Sequence, residues 1–238
     1  MHTMKKQSVL NIIVIIVIAG LVTTTGCNNT GFEIKKETKA INDIFKQLTD
    51  SIVYYRQFPI PPPPPLQSDI KENDDLSSGQ IQSLKEYNKL MSSIDTNRHV
   101  ISIFDTLLSS SIRLSETISK FKTSVIYYDY FGAFDSYLEN NKKALFFNLN
   151  EIKNTGKYEL IYYSEISKQL IKGKYPELKF YYYGSITFTR VYMNKEETNG
   201  FLECNLRCGQ DCHYDFILLI KKAEMNWRID RIILIGVA

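Results

Sequence analysis

Side chains suited to acid–base or nucleophilic chemistry are scarce in this chain. It holds 3 histidines, 4 cysteines and 1 tryptophan among 238 residues. The histidines are His2, His99 and His213, so imidazole chemistry would have to rest on very few positions. No Gly-x-Ser-x-Gly elbow and no glycine-rich phosphate loop occurs, which removes the sequence basis for those nucleophile and nucleotide sites. An excess of one charge is missing as well. The 29 Lys and Arg against 26 Asp and Glu give a formal net charge of +3, and a nucleic-acid partner wants a concentrated basic face. No nucleic acid is expected. Long apolar runs are absent too: Val9 to Val22 is interrupted by Asn11 and falls short of the about 20 residues that span a bilayer.

What is present begins at the N-terminus. Lys5 and Lys6 precede that apolar run, and Thr23-Thr24-Thr25-Gly26-Cys27 follows it. A basic start, a short apolar core and small residues before a cleavage point describe an export signal. Ending on Gly26-Cys27, it resembles a bacterial lipoprotein signal, although Thr24 stands where that pattern usually has Leu. The resemblance implies acylation of Cys27, which becomes the mature N-terminus. It also implies a membrane partner through that anchor and a place in the cell envelope, at the outer membrane of a Gram-negative bacterium. A single N-terminal transmembrane helix is the competing reading. Removing residues 1–26, which hold Lys5, Lys6 and no acid, takes the charge from +3 to +1.

The rest divides into a tether, helix and Pro-rich spacer over 27–80 and a globular domain over 81–238, helical over 81–135 and strand-rich over 144–238. Ile34, Ile41, Ile44, Phe45, Leu48 and Ile52 recur at three and four, the mark of an amphipathic helix. Six of the 7 prolines fall between Pro59 and Pro65, which reads as a polyproline II stand-off spacer. Helical patterns follow over Ile81 to Ile94 and from Val100 through Leu108 toward Phe121. Ala144 to Leu149 and Tyr158 to Tyr163 read as short strands around a turn at 153–157, with a short helix over Ser164 to Gly173. Four strands close the chain: Phe180 to Met193, Gly200 to Arg207, Tyr214 to Lys222 and Trp227 to Ile235. Their short connectors join antiparallel neighbours. The fold class is therefore α+β, with N-terminal helices followed by a mainly antiparallel C-terminal β-meander and helices against one face.

The cysteines carry the sharpest chemical readings. Strand alternation puts Cys204 in phase with Leu202 and Leu206, where a free thiol acts as a small hydrophobe. Cys208 and Cys212 flank Gly209-Gln210-Asp211 at a hairpin tip, where a Cα separation of about 5.5 Å suits a disulfide and export preserves it. That pair is favoured over pairings with Cys204. Zinc held by Cys204, Cys208, Cys212 and His213 competes, but the usual ligand spacing is missing. An iron–sulfur cluster and a redox-active thiol pair fit less well. No metal or cofactor is expected. His213 and Asp215 would share a strand face without a nucleophile. The chain's 16 tyrosines include Tyr54-Tyr55, Tyr127-Tyr128, Tyr162-Tyr163 and Tyr181-Tyr182-Tyr183. An outward row could stack a glycan or a protein, although half-buried sheet positions favour aromatics anyway.

The run Tyr183 to Asn194, the Cys208-Gly209-Gln210-Asp211-Cys212 turn, Asp215 to Lys222 and Asn226-Trp227-Arg228-Ile229 together resemble the end of lipoproteins and secreted proteins of Bacteroidetes-type bacteria. That family has a Cys-Gly-x-x-Cys turn and a Trp-x-Ile strand. The likeness covers roughly residues 145–235; it implies the meander and the turn disulfide and carries no activity. The function expected is a lipid-anchored envelope protein acting as a non-enzymatic binding or structural module, with a protein or glycan as ligand. The alternative is an exported hydrolase or thiol redox enzyme.

Overall fold

The structure is a computed structural model that describes residues 31–53, 78–93, 95–109, 112–140, 142–170, 179–209 and 212–237. The N-terminal segment expected to be an export signal, Cys27 and the proline stretch lie outside the described residues.

Helix α1 covers residues 31–52, as its apolar spacing predicts. It is followed by α2 (Ser78–Ser93), β1 (Asp95–Ile103), β2 (Thr106–Leu107), α3 (Ile112–Phe121), a 3-10 turn (Val125–Tyr130), α4 (Phe131–Glu139) and β3 (Leu145–Phe146). Then come β4 (Tyr158–Tyr162), α5 (Tyr163–Leu170), β5 (Phe180–Phe188), β6 (Tyr192–Met193), β7 (Asn199–Gly209), β8 (Cys212–Ala223) and β9 (Asn226–Val237). The main sheet has the order β4-β1-β5-β7-β8-β9, with β6 beside β7, and β2 pairs with β3 in a small sheet. The fold is α+β.

The last four long strands are the expected meander: β5–β7, β7–β8 and β8–β9 are all antiparallel. The sheet as a whole is mixed, which corrects the expectation. β1 lies parallel to both β4 and β5. Residues around Val100 to Ile103 were expected to start a helix and form a strand instead. Their neighbours explain it: Val100, Ile101, Ser102 and Ile103 are all fully buried, because both faces of the sheet are covered. Such a strand reads as a continuous apolar run, which periodicity does not separate from a helix. The residues 144–163 also pair differently from a local hairpin. β3 joins β2, and β4 joins the sheet edge beside β1.

Each face has its own core. α1 lays Ala40, Ile41, Ile44, Phe45 and Leu48 on one face, against Ile101, Ile186, Phe188, Leu202, Cys204 and Leu218. Leu114 and Ile118 of α3 and Ala133 and Phe134 of α4 cover the other, against Tyr192, Phe201, Ile217 and Leu219. Helices therefore pack on two faces rather than one. Each fully buried apolar side chain contributes about 1.5–3 kcal/mol, so α1 is a principal element of the fold. The proline stretch falls in the sequence between α1 and α2.

α1 also guards the outer edge of the sheet. Asp43 accepts a hydrogen bond from the Trp227 backbone N–H at 3.0 Å, and Gln47 both accepts from the Ile229 N–H (2.8 Å) and donates to its carbonyl (3.1 Å). Those backbone groups of β9 are thereby closed to another strand. At Gly184, φ is +102° and a Cβ would stand 2.2 Å from the Arg207 carbonyl oxygen. Only glycine fits that close approach of β5 to β7.

Candidate functional site

The apolar stripe of α1 contains one acid. Glu37 falls three residues after Ile34 and four before Ile41, so the helix carries it inward with the core residues. It is 2% exposed. Arg190, 3% exposed, lies in the short link between β5 and β6 and meets it in a forked pair: Nε donates to Oε2 at 2.8 Å and Nη2 to Oε1 at 2.7 Å. Lys142 Nζ adds a third bond to Oε1 at 2.9 Å, and the Val191 backbone N–H a fourth to Oε2 at 3.1 Å. A carboxylate has about four lone-pair positions, so the four bonds saturate Glu37. Arg190 further donates to the Lys143 carbonyl at 2.6 Å and reaches Glu33 at 3.4 Å. Burial alone would lower the pKa of Arg190. The hydrogen bonds and charge of Glu37, with Glu33 behind, outweigh burial and hold it above its ordinary value.

Above this buried pair opens a cleft of about 870 Å³ between the first turns of α1, helix α4 and the β6–β7 turn. Its size lies within the range of small-molecule sites, about 300–1,000 Å³, but those are mostly apolar. Here the lining is charged: Glu33, Glu37, Asp135, Glu139, Glu196 and Glu197 against Lys36, Lys142 and Lys195. Lys36 pairs with Glu197 and Lys142 with Glu37 across the walls, while Asp135 is paired with Lys122, which does not line the cleft. The rim is fixed by Asn194, whose Oδ1 accepts from the backbone N–H groups of Thr198 (2.9 Å) and Asn199 (3.1 Å). Such a cleft recognises charge and hydrogen-bonding groups rather than apolar surface.

The candidate residues of the sequence lie elsewhere. Cys208 and Cys212 form a disulfide with Cα atoms 5.1 Å apart, and Cys204 is free and buried. With two thiols joined, a zinc site of three thiolates is not assembled. Burial pushes the Cys204 thiol pKa well up, the opposite of a reactive cysteine. His213 Nε2 meets Asp215 Oδ1 at 2.5 Å, and Asn205 donates to the same oxygen at 2.5 Å. The two residues share a face, as strand alternation predicts. His99 Nδ1 pairs with the Tyr183 hydroxyl at 2.6 Å and its ring stacks on Tyr181. Neither histidine lines the cleft. Tyr182 points to the opposite face, its hydroxyl 2.7 Å from Ser102 Oγ, and burial raises its pKa to about 12. Tyr181, Tyr182 and Tyr183 therefore do alternate and are spent on internal contacts, whereas Tyr128 is 70% exposed and Tyr54-Tyr55 lie outside the described residues. Cys27 lies outside the described residues.

Sequence reasoning missed Glu37, Arg190 and Lys142. The available signal was the acid at helical spacing within the apolar stripe of α1.

Among the described residues no group of three His, Cys, Asp or Glu is placed to hold a metal ion, and no helix is long and apolar enough to cross a membrane. Comparison with protein-family models, with curated proteins and with solved structures finds no match to this chain.

Proposed function

We propose that the protein is a lipid-anchored component of a bacterial cell envelope, acylated at Cys27, in which the folded body acts as a non-enzymatic binding or structural module. The observation that carries this reading is the order Lys5-Lys6, Val9 to Val22 and Gly26-Cys27, which has the layout of an export signal and resembles a lipoprotein signal apart from Thr24. The Cys208–Cys212 disulfide is in keeping with an oxidising, extracytoplasmic setting. The charged cleft is the binding surface of the module. Its chemistry suits a polar protein segment or a glycan, whose hydroxyl and ammonium groups match carboxylate and lysine side chains. The saturated Glu37 makes the deepest carboxylate of that cleft an organising group. Radioactive palmitate fed to cells making the protein is expected to label the wild type and not Cys27→Ser. Equal labelling of the two would overturn the anchor.

A further inference from the structure

We infer that Phe32, with Lys36 beside it, is a second membrane contact, an interfacial aromatic that seats the first turn of α1 in the headgroup layer. This rests on the reading of Cys27 as the acylated residue. Phe32 is 61% exposed, and Lys36 Nζ stands 4.2 Å from its ring centroid. Aromatic and basic side chains at the end of a helix are the pair that settles at a membrane–water boundary.

The covalent leash leaves this end of the molecule no distance from the bilayer. Only residues 28–30 separate Cys27 from the start of α1 at residue 31. Four Cα steps span at most about 14 Å even when fully extended. The helix cannot lengthen the leash by peeling away, because Glu33 and Glu37 are bonded to Arg190 and Lys36 to Glu197. Strand β7 (Asn199–Gly209), rising about 3.3 Å per residue, carries the opposite tip of the sheet about 33 Å beyond the 195–198 turn. The leash is shorter than the body, so the α1 end faces the membrane and the disulfide hairpin faces away. Acids outnumber lysines in the adjoining cleft, six to three. The surface that fits is therefore zwitterionic and carries ammonium groups, as ethanolamine headgroups do.

The test uses the chain from Cys27 onward, coupled through the Cys27 thiol to a single-chain maleimide lipid. Cys204 is buried and the other two cysteines are bonded, which leaves Cys27 as the reactive one. In a Trp227→Phe background, tryptophan is placed at Phe32→Trp or, near the far tip, at Phe180→Trp. Both are mixed with phosphatidylcholine–phosphatidylethanolamine vesicles carrying nitroxide-labelled acyl chains. The expected result is at least threefold quenching at position 32 and less than a tenth at position 180. Equal quenching at both, or none at 32, overturns the proposal. If Trp227→Phe prevents folding, Phe32→Ala in the otherwise unchanged coupled chain is expected to weaken vesicle retention about tenfold, since one acyl chain alone binds marginally. Unchanged retention overturns it. Because the lipid is attached chemically, these outcomes report on Phe32 even if palmitate labelling shows that cells do not acylate Cys27.

Discussion

Replacing Glu37 by glutamine is the most informative single change to the folded body. The substitution keeps the shape and removes the charge. Glu37 is 2% exposed and receives four hydrogen bonds, two of them from Arg190, which is itself 3% exposed. Losing one partner of a buried ion pair costs about 3–5 kcal/mol, because a charge is left without its counter-ion. Two features pull the cost toward the lower end. The Lys142 side chain is 18% exposed and can turn to water, and Arg190 keeps the Lys143 carbonyl and the partly exposed Glu33. A loss of about 3 kcal/mol follows. For a domain of this size, where 1 kcal/mol shifts Tm by about 2–4 °C, the expected fall is about 6–12 °C, measured by circular dichroism on the Cys27→Ser chain. Glu33→Gln, at a side chain 54% exposed, serves as the control and is expected to change stability by less than about 0.5 kcal/mol. The double change Glu37→Met with Arg190→Met should recover much of the loss, since an apolar pair can replace a buried ion pair at little cost. A Glu37→Gln protein melting within 1 °C of the parent would refute the reasoning that the buried Glu37–Arg190 pair holds α1 to the sheet.

Two further outcomes follow from the same physics. Under non-reducing conditions mass spectrometry should find Cys208 linked to Cys212, with Cys204 unreactive to iodoacetamide until denaturant is added. Replacing Cys208 and Cys212 by serine should cost about 2 kcal/mol at most, because the closed loop is so small. Stability should also fall as pH rises from about 10 through about 12. Burial raises the Tyr182 pKa from 10.0 to about 12, so the folded state holds the phenol proton more tightly than the unfolded chain. Its contribution is fully present below pH 10 and is lost above it. At about 1.4 kcal/mol per tenfold change in proton affinity, the loss is on the order of 2–3 kcal/mol. Tyr182→Phe should lessen the slope in that window without abolishing it, since burial also raises the pKa values of Tyr130, Tyr158 and Tyr183; an unchanged slope would show that Tyr182 carries no share of it.

The parts of the fold legible in the sequence were those with a single buried face. α1 betrayed itself by Ile41, Ile44, Phe45 and Leu48, and Cys204 by its phase with Leu202 and Leu206. The meander was legible because its connectors are too short for anything but antiparallel neighbours. β1 was not, since burial on both faces erases the alternation on which strand reading depends. Its parallel pairing with β4 and β5 is set by contacts between residues about 60–90 positions apart, such as Ile101 with Leu160 and Ser102 with Ser185, for which local pattern holds no signal. Proline chemistry marks where regular structure stops, and not which elements lie on either side. The disulfide was legible from a tight turn with two thiols. The Glu37–Arg190 pair was half legible: the misplaced acid shows in α1, while its partner 153 residues on does not.

Whether the chain is cut before Cys27 and acylated there decides the proposed anchor. Intact and peptide mass spectrometry of the protein extracted from membranes should find a chain that begins at Cys27, with that residue carrying fatty acyl mass. A membrane-bound chain that retains Lys5, Lys6 and the Val9 to Val22 run, with an unmodified Cys27 thiol, would contradict it and replace the lipid anchor with an uncleaved apolar segment.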